Sequence, residues 1–505
     1  MVDSGIKDKK IVIWGIGILQ SDLDGIFGFP NLPDFLYYVD DCIQEKNLIS
    51  VSKDLVYPTQ KLAEEIPDQV LVIICQENHG EAITRLKSMG YGEDSYILGE
   101  ELLVCNPLCQ KIRDKDISVW GMGTMYLLHE TEINRHFPNV ARFIVTEKEN
   151  DSFRGKEVIS LEDGIPQDSF VIVSSIYYKE IYKNLIDMGK LPGEDFLHVE
   201  TLMAMCSLSL GIDETCQFTD CRKGSEYLLI VLAGYKEFVW ESVFGRLRAF
   251  VPKDIDICIV TSGLVNSGLQ DMCEEYQWSY LSTSRNNVSM AVNTAIWKHS
   301  DAQYVYKMDE DIFLTKGVFE ILKDTYQAVS EKGRYEVGFV TPLIPINGYG
   351  HVRLLEIFDA VDLWQERFGE LKYTNLTHHR NICENPETAR FMWGEGNQAM
   401  NDLDRMQQIL SHREFQYSIC PIRYSIGFVL FHRNSWIRMK GFPAFAGNMG
   451  MDEEAFCQFC VLQSYAMVVA ENAVVGHLAF GPQNKAMEQY YHDNRERFML
   501  LSGGR

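Results

Sequence analysis

YVYKMDEDIFLTKG, residues 304–317, is an apolar run broken by three consecutive acids, Asp309, Glu310 and Asp311, after which it resumes. The run predicts a β-strand that ends at the acids. Side chains alternate along an extended chain, so Asp309 and Asp311 share one side and Glu310 points to the other. Two carboxylates so close repel each other unless a cation or a proton lies between them. Hard oxygen ligands at a strand end suit Mg2+ or Mn2+, which would also bridge a diphosphate. Of the three acids, Glu310 is expected to matter least to the metal.

Outward from this stretch, strands alternate with helices. YLLIVLAGY ends at Gly234 and Tyr235, IDICIVTSG ends at Ser262 and Gly263, and a helix-compatible stretch from Val288 to His299 leads into the acidic strand. That order predicts an α/β domain with a mostly parallel sheet, whose ligands lie beyond the carboxyl ends of the strands. The acids fall at such an end.

Four segments in order carry a resemblance. NNVSMAVNTAIWKHSDAQYVYKMDEDIFL has a helix bearing Asn293 ahead of the acidic strand, and RYSIGFVLFHRNSWIRMKGFP starts a strand at Gly427 and reaches a Gly441-Phe442 turn. GMDEEAF is an acidic helix start, and NAVVGHLAF places His477 after an apolar run. Together they resemble a GT-A glycosyltransferase, particularly the inverting glycosyltransferase family 2, over roughly residues 226–500.

The resemblance implies a role for each position. Asp311 would hold the metal with His477, and Asp309 would contact the donor's ribose or the metal through water. Imidazole is acceptable to Mn2+. Ala233, Gly234, Tyr235 and Ser262 would hold the nucleoside, with Asn293, Asp309 and Glu310 on the donor side and Arg285 either a phosphate or base contact there or a surface residue. Thr261-Ser262 stands where the family usually has an Asp pair, so the nucleobase is not fixed by the motif and uridine is the default. Asp452 or Glu453 would be the base that takes the acceptor's proton, Asp452 by alignment, although Met451 replaces the usual first acid.

Between these segments, residues 345–400 lie where this fold builds its acceptor site, and Tyr349, Trp393 and Glu395 suit sugar stacking and hydroxyl recognition. The other reading is a helical insertion packing over the core. Arg495 and Arg497 in EQYYHDNRERF either reach the diphosphate or lie on a solvated helix face.

The first two hundred residues repeat. KKIVIWGIGILQ from Lys9 matches KDISVWGMGTMY from Lys115, and LKSMGYGEDSYILGEELL from Leu86 matches LIDMGKLPGEDFLHVETL from Leu185. A period of roughly one hundred residues is too long for a solenoid unit and fits a duplicated domain. Strand, Gly-x-Gly turn, helix and second strand begin a doubly wound unit, but the third glycine of a dinucleotide fingerprint is absent from both copies. The expected organisation is therefore two Rossmann-like domains, 1–105 and 106–206, a polar linker, 207–226, and a GT-A domain, 227–505. The repeats would serve as a scaffold, acceptor platform or homo-oligomer surface.

Composition narrows the function. With 505 residues, 71 acids against 47 Lys and Arg and a net charge of -24, the chain is globular and opposes nucleic-acid binding. No apolar segment is long enough to span a bilayer, which leaves peripheral association open. The charged start lacks a cleavage site. Thirteen cysteines without framework spacing suit reduced thiols in a cytoplasm. Cys457 and Cys460 form a lone CxxC, and the sequons at Asn287 and Asn375 read as chance matches.

The expectation is a cytoplasmic, metal-dependent, inverting glycosyltransferase of the hexosyltransferase type. It would move a sugar from a nucleotide sugar to a glycan, lipid-linked or protein hydroxyl. Its rivals are a retaining GT-A transferase, a nucleotidyltransferase, disfavoured because no glycine-rich phosphate loop opens the domain, and a catalytically silent assembly protein.

Overall fold

The computed structural model describes residues 9–42, 48, 51–76, 79–104, 106, 108–373, 380–444, 451–478 and 483–500. The sequon at Asn375, Gly450 of GMDEEAF and the end of NAVVGHLAF lie outside the described residues. The chain divides into two compact units, Met1–Leu210 and Gly211–Arg505.

The first unit holds both repeats. In the first repeat, Val56–Tyr57, Phe35–Val39, Lys10–Trp14, Val70–Ile74 and Tyr96–Leu98 form a five-stranded parallel sheet in that order. The second repeat has the same strand order, with Ser152–Phe153 added as an antiparallel edge. One core cluster joins residues of both, including Ile11, Tyr38, Leu103, Phe143 and Met203.

The first glycine of each Gly-x-Gly turn is required by close packing. Gly15 has φ 100° and a Cβ there would lie 2.7 Å from the Gln76 amide nitrogen, while at Gly121, φ 111°, it would lie 2.3 Å from the Ser174 carbonyl oxygen. In the first repeat the acid ending the second strand is turned onto its own fold: Asp40 accepts from the Ile16 amide in the glycine turn at 3.0 Å and from the Cys42 amide at 2.8 Å.

The stretch expected as a linker is partly ordered structure. Helix Val199–Leu210 runs into it, and Gln217–Thr219 pairs antiparallel with Ser279–Thr283 at the edge of the second unit's sheet. That sheet has nine strands in the order Gln217–Thr219, Ser279–Thr283, Ile255–Ser262, Tyr227–Leu232, Tyr304–Asp309, Phe428–His432, Glu336–Leu343, Tyr465–Val474 and Tyr417–Ile419. The central strands are almost wholly apolar and buried, as expected for parallel strands covered on both faces.

Register places the site. Leu232 lies opposite both Val260 and Asp309, so the segment after Leu232 emerges beside the acids. Phe428 pairs with Met308, and the Asp309 amide donates to the Gly427 carbonyl at 2.9 Å. After the acidic turn, Ile312–Phe313 forms a two-stranded ribbon with Gly476–His477, in which Ile312 faces His477. That ribbon is what brings His477 back to Asp311.

Candidate functional site

A cavity of about 470 Å³ opens at the carboxyl ends of the Tyr227–Leu232, Ile255–Ser262 and Tyr304–Asp309 strands. Asp309, Asp311, Asp452, His477, Lys236 and Lys307 all line it. Four of these six are residues singled out in the sequence; the two lysines are not.

The lysines set the electrostatics. Lys307 is two residues before Asp309 and so on the same side of the strand. Its ammonium is 2.8 Å from Asp309 Oδ1 and 3.3 Å from Asp452 Oδ2, and it donates to the Ile426 carbonyl at 3.2 Å. Lys236 Nζ lies 2.5 Å from Asp311 Oδ2, and His477 Nε2 is 3.3 Å from the same oxygen. Burial alone would push Asp311 upward, but His477 and then Lys236 outweigh it and hold the carboxyl below the usual range. Asp309 shifts the other way: burial raises it and Lys307 only partly offsets that. Both lysines are raised, since their carboxylate partners outweigh the burial that would lower them.

Glu310 points away from Asp309 and Asp311, as alternation requires. Its carboxylate accepts from the Gly234 amide at 2.9 Å, the Tyr235 amide at 3.0 Å and Trp240 Nε1 at 2.7 Å. It therefore braces the loop that carries Gly234 and Tyr235 and is committed to protein donors. The Tyr235 hydroxyl donates to the Ser262 carbonyl at 2.6 Å, and Ala233 and Ser262 line the cavity. The Ser262 hydroxyl accepts from the Asn287 amide at 2.7 Å and so fixes the start of the next helix.

Two expected donor contacts are elsewhere. Asn293 is buried, with Oδ1 accepting from Trp436 Nε1 and the Phe442 amide and Nδ2 donating to the Phe442 carbonyl, each at 2.8 Å. The helix asparagine and the Gly441-Phe442 turn are thus one clamp, and Asn293 is not a lining residue. Arg285 is exposed, with its guanidinium against the Met290 sulfur. Its carbonyl is the inward group, accepting from Thr283 Oγ1 at 3.0 Å, which turns the side chain outward. Asn287 caps helix Val288–Lys298 through the Met290 amide and donates to the Ala444 carbonyl, so the side chain of that sequon is buried in structure.

Asp452 and Glu453 begin helix Asp452–Leu462 and both line the cavity. Glu453 is paired with Arg423 Nε at 2.9 Å, whereas Asp452 faces Lys307. Cys457 and Cys460 are buried in the same helix, Cys457 against the Tyr424 backbone.

Of the expected acceptor residues, Trp393 and Tyr349 are packed inward. Trp393 donates to the His477 carbonyl at 3.2 Å and sits against Phe313 and Phe498. Tyr349 is buried and stacks on Tyr373 at 5.1 Å. Glu395 pairs with Arg390, and both line a separate cavity of about 310 Å³ with Arg497. Arg495 pairs with Glu241. Neither arginine is among the residues lining the cavity at Asp309.

Among the described residues no group of three or more His, Cys, Asp or Glu side chains converges to hold a metal as the protein stands. The expected trio is divided: Asp311 and His477 are together, while Asp309 is drawn to Lys307. The donor types nevertheless suit Mn2+ or Mg2+, and Gly427 leaves room for an ion. A Cβ on Gly427 would lie 3.1 Å from Ile312 Cδ1, 3.5 Å from Asp309 Oδ2 and 3.6 Å from His477 Cε1, so a side chain there would fill the space beside these residues.

No protein-family model matches the chain, and no curated protein matches it. Among solved structures, the chain is similar to a mannosyltransferase from Pyrobaculum calidifontis in complex with GDP-Man and Mn2+, at 14% identity and a TM-score of 0.32, over 55% of this chain and 62% of that one. It is also similar to GalNAc-T7 with UDP, GalNAc and Mn2+, at 11% identity and a TM-score of 0.31, over 66% of this chain and 57% of that one. The match thus spans less than two thirds of either structure, and function has to be read from the geometry of the cavity.

Proposed function

We propose that the Gly211–Arg505 unit is a GT-A-type glycosyltransferase domain that moves a sugar from a nucleoside-diphosphate donor to an acceptor hydroxyl, with inversion. The supporting observation is the convergence of Asp309, Asp311, His477 and Asp452 in one cavity at the carboxyl ends of parallel strands. UDP is the default nucleotide, and the acceptor is a glycan, lipid-linked or protein hydroxyl.

The loop at Ala233–Tyr235, held on Glu310, and Ser262 form the nucleoside side of the cavity. Asp311 and His477, with Asp309, would hold Mn2+ or Mg2+, which when bound supplies positive charge to the departing diphosphate. Lys307 holds Asp452 beside Asp309. Asp452 takes the proton of the acceptor hydroxyl while its oxygen forms the new bond to the anomeric carbon. The bond from that carbon to the diphosphate breaks, and its electron pair leaves with the diphosphate. A single base opposite the leaving group gives inversion.

The repeats of the Met1–Leu210 unit serve as a scaffold or homo-oligomer surface, with Asp40 engaged by its own glycine turn. No helix among the described residues is long and apolar enough to cross a membrane. The described cysteines are free thiols, which fits a reducing compartment.

A screen of nucleotide sugars with Mn2+, read as thermal shift and then as transfer, tests the proposal, since a ligand of the folded state raises the melting temperature. Anomeric NMR of the product should show inversion. Transfer that survives Asp311→Ala, or a retained anomeric configuration, defeats the mechanism, and failure to bind any nucleotide sugar defeats the assignment.

A further inference from the structure

The ammonium of Lys236 occupies Asp311 Oδ2, the carboxylate oxygen that also faces His477 Nε2. Exposure distinguishes this lysine from Lys307. The Lys236 side chain is 32% exposed while Asp311 is 3% exposed, so the lysine reaches solvent and the carboxylate does not. Its backbone is also fixed independently of that contact, because the two preceding amides, of Gly234 and Tyr235, are held by Glu310. The long side chain can therefore leave Asp311 while the loop stays in place.

We infer that Lys236 is an internal counter-ion that a divalent cation must displace from Asp311 before the site is loaded. The inference rests on the metal reading of this cavity. Two cations cannot share one carboxylate oxygen at contact distance without strong repulsion, so lysine and metal compete. With Lys236 in place the buried carboxylate is neutralised in the resting protein. Once displaced, the ammonium is released at the mouth of the same cavity, beside the space that an anionic nucleoside diphosphate would enter. The lysine thus tunes metal affinity downward and makes the resting site stable without an ion. Lys236 is a positioning residue in this scheme.

The test is a titration of the full-length chain with Mn2+ alone, reading free Mn2+ by electron paramagnetic resonance. Lys236→Met is expected to bind Mn2+ about tenfold or more tightly than wild type, because a competing charge at contact distance is removed. Lys236→Arg, which keeps a cation, should stay near wild type. Asp311→Asn and His477→Ala should abolish binding. Equal affinity for wild type and Lys236→Met, with binding still lost in Asp311→Asn, overturns the competition and leaves the metal site standing. Binding that persists in both Asp311→Asn and His477→Ala, or no Mn2+ binding in any variant, overturns the metal reading and the inference with it. Melting temperatures establish that each variant is folded, and Lys236→Gln replaces Lys236→Met if the latter is not.

Discussion

Asn293→Ala separates a donor contact from a structural clamp. Asn293 makes three buried hydrogen bonds, two accepted by Oδ1 and one donated by Nδ2, to Trp436 and to both backbone groups of Phe442. Truncation leaves three buried polar groups without partners. A buried group stripped of its bond costs about 1–3 kcal/mol, and partial rehydration of the space opened by the mutation offsets some of this, so the loss should be about 3 kcal/mol. For a unit of this size that corresponds to a fall of roughly 5 °C in melting temperature. Differential scanning calorimetry of the full chain gives the shift, and titration with UDP and Mn2+ well below the transition gives the affinity. The clamp predicts a large shift and an affinity within about twofold of wild type. A loss of stability under about 1 kcal/mol together with an affinity weakened about tenfold would refute it and return Asn293 to the donor site.

Asp311→Asn should lower sugar transfer by about 100-fold or more, the scale of losing a group that organises transition-state charge, and coupled phosphate-release kinetics would measure it. Lys307→Met leaves Asp309 and Asp452 facing each other without their cation; unfolding in urea should show a loss of about 3 kcal/mol or more, and the double variant Lys307→Met with Asp309→Asn should recover part of it. Asp22 and Asp24 in the first unit are raised by burial to about 7. Since their unfolded values are near 3.8, folding favours their protonated forms, and the stability they contribute at low pH is lost as pH rises through about 7. Calorimetry between pH 5 and 8 should show the unit weakening, and Asp22→Asn should flatten the slope. Asp311 is held low, so it contributes stability above the ordinary aspartate range that is lost in acid as pH falls toward its folded value.

The strand ends were legible because a buried parallel strand reads as an apolar run and must stop where polar groups begin. That is why Ala233, Ser262 and Asp309 come together in the cavity, and why Glu310 points away from Asp311. Asn293 was legible as a significant residue but not in its role. Its partners lie 143 and 149 residues downstream, and nothing local says whether a polar side chain in an apolar helix faces a ligand or another loop. For Trp393 and Tyr349 the sequence left two readings open for a related reason. An aromatic ring suits a sugar or a core equally, and only the ribbon carrying Gly476 and His477 shows that Trp393 is covered. Lys307 did carry a local signal, since its spacing from Asp309 puts both on one side of the strand.

The two lysines answer the question raised by the acidic run. Asp309, Asp311 and Asp452 cannot be gathered in one cavity of a resting protein as uncompensated anions, because burial of like charges without counter-ions is strongly unfavourable. Lys307 is 4% exposed and bridges two of the acids while donating to a carbonyl, so its charge is tied into the fold at three points. Lys236 is 32% exposed and holds the third acid together with His477, so in the proposed scheme it is the lysine that an incoming cation replaces. The same charge type therefore does different work according to access. Removing Lys307 should be felt in stability, and removing Lys236 in metal affinity. On the proposed metal reading, the site folds without an ion and gives up the Lys236 contact at Asp311 to take one.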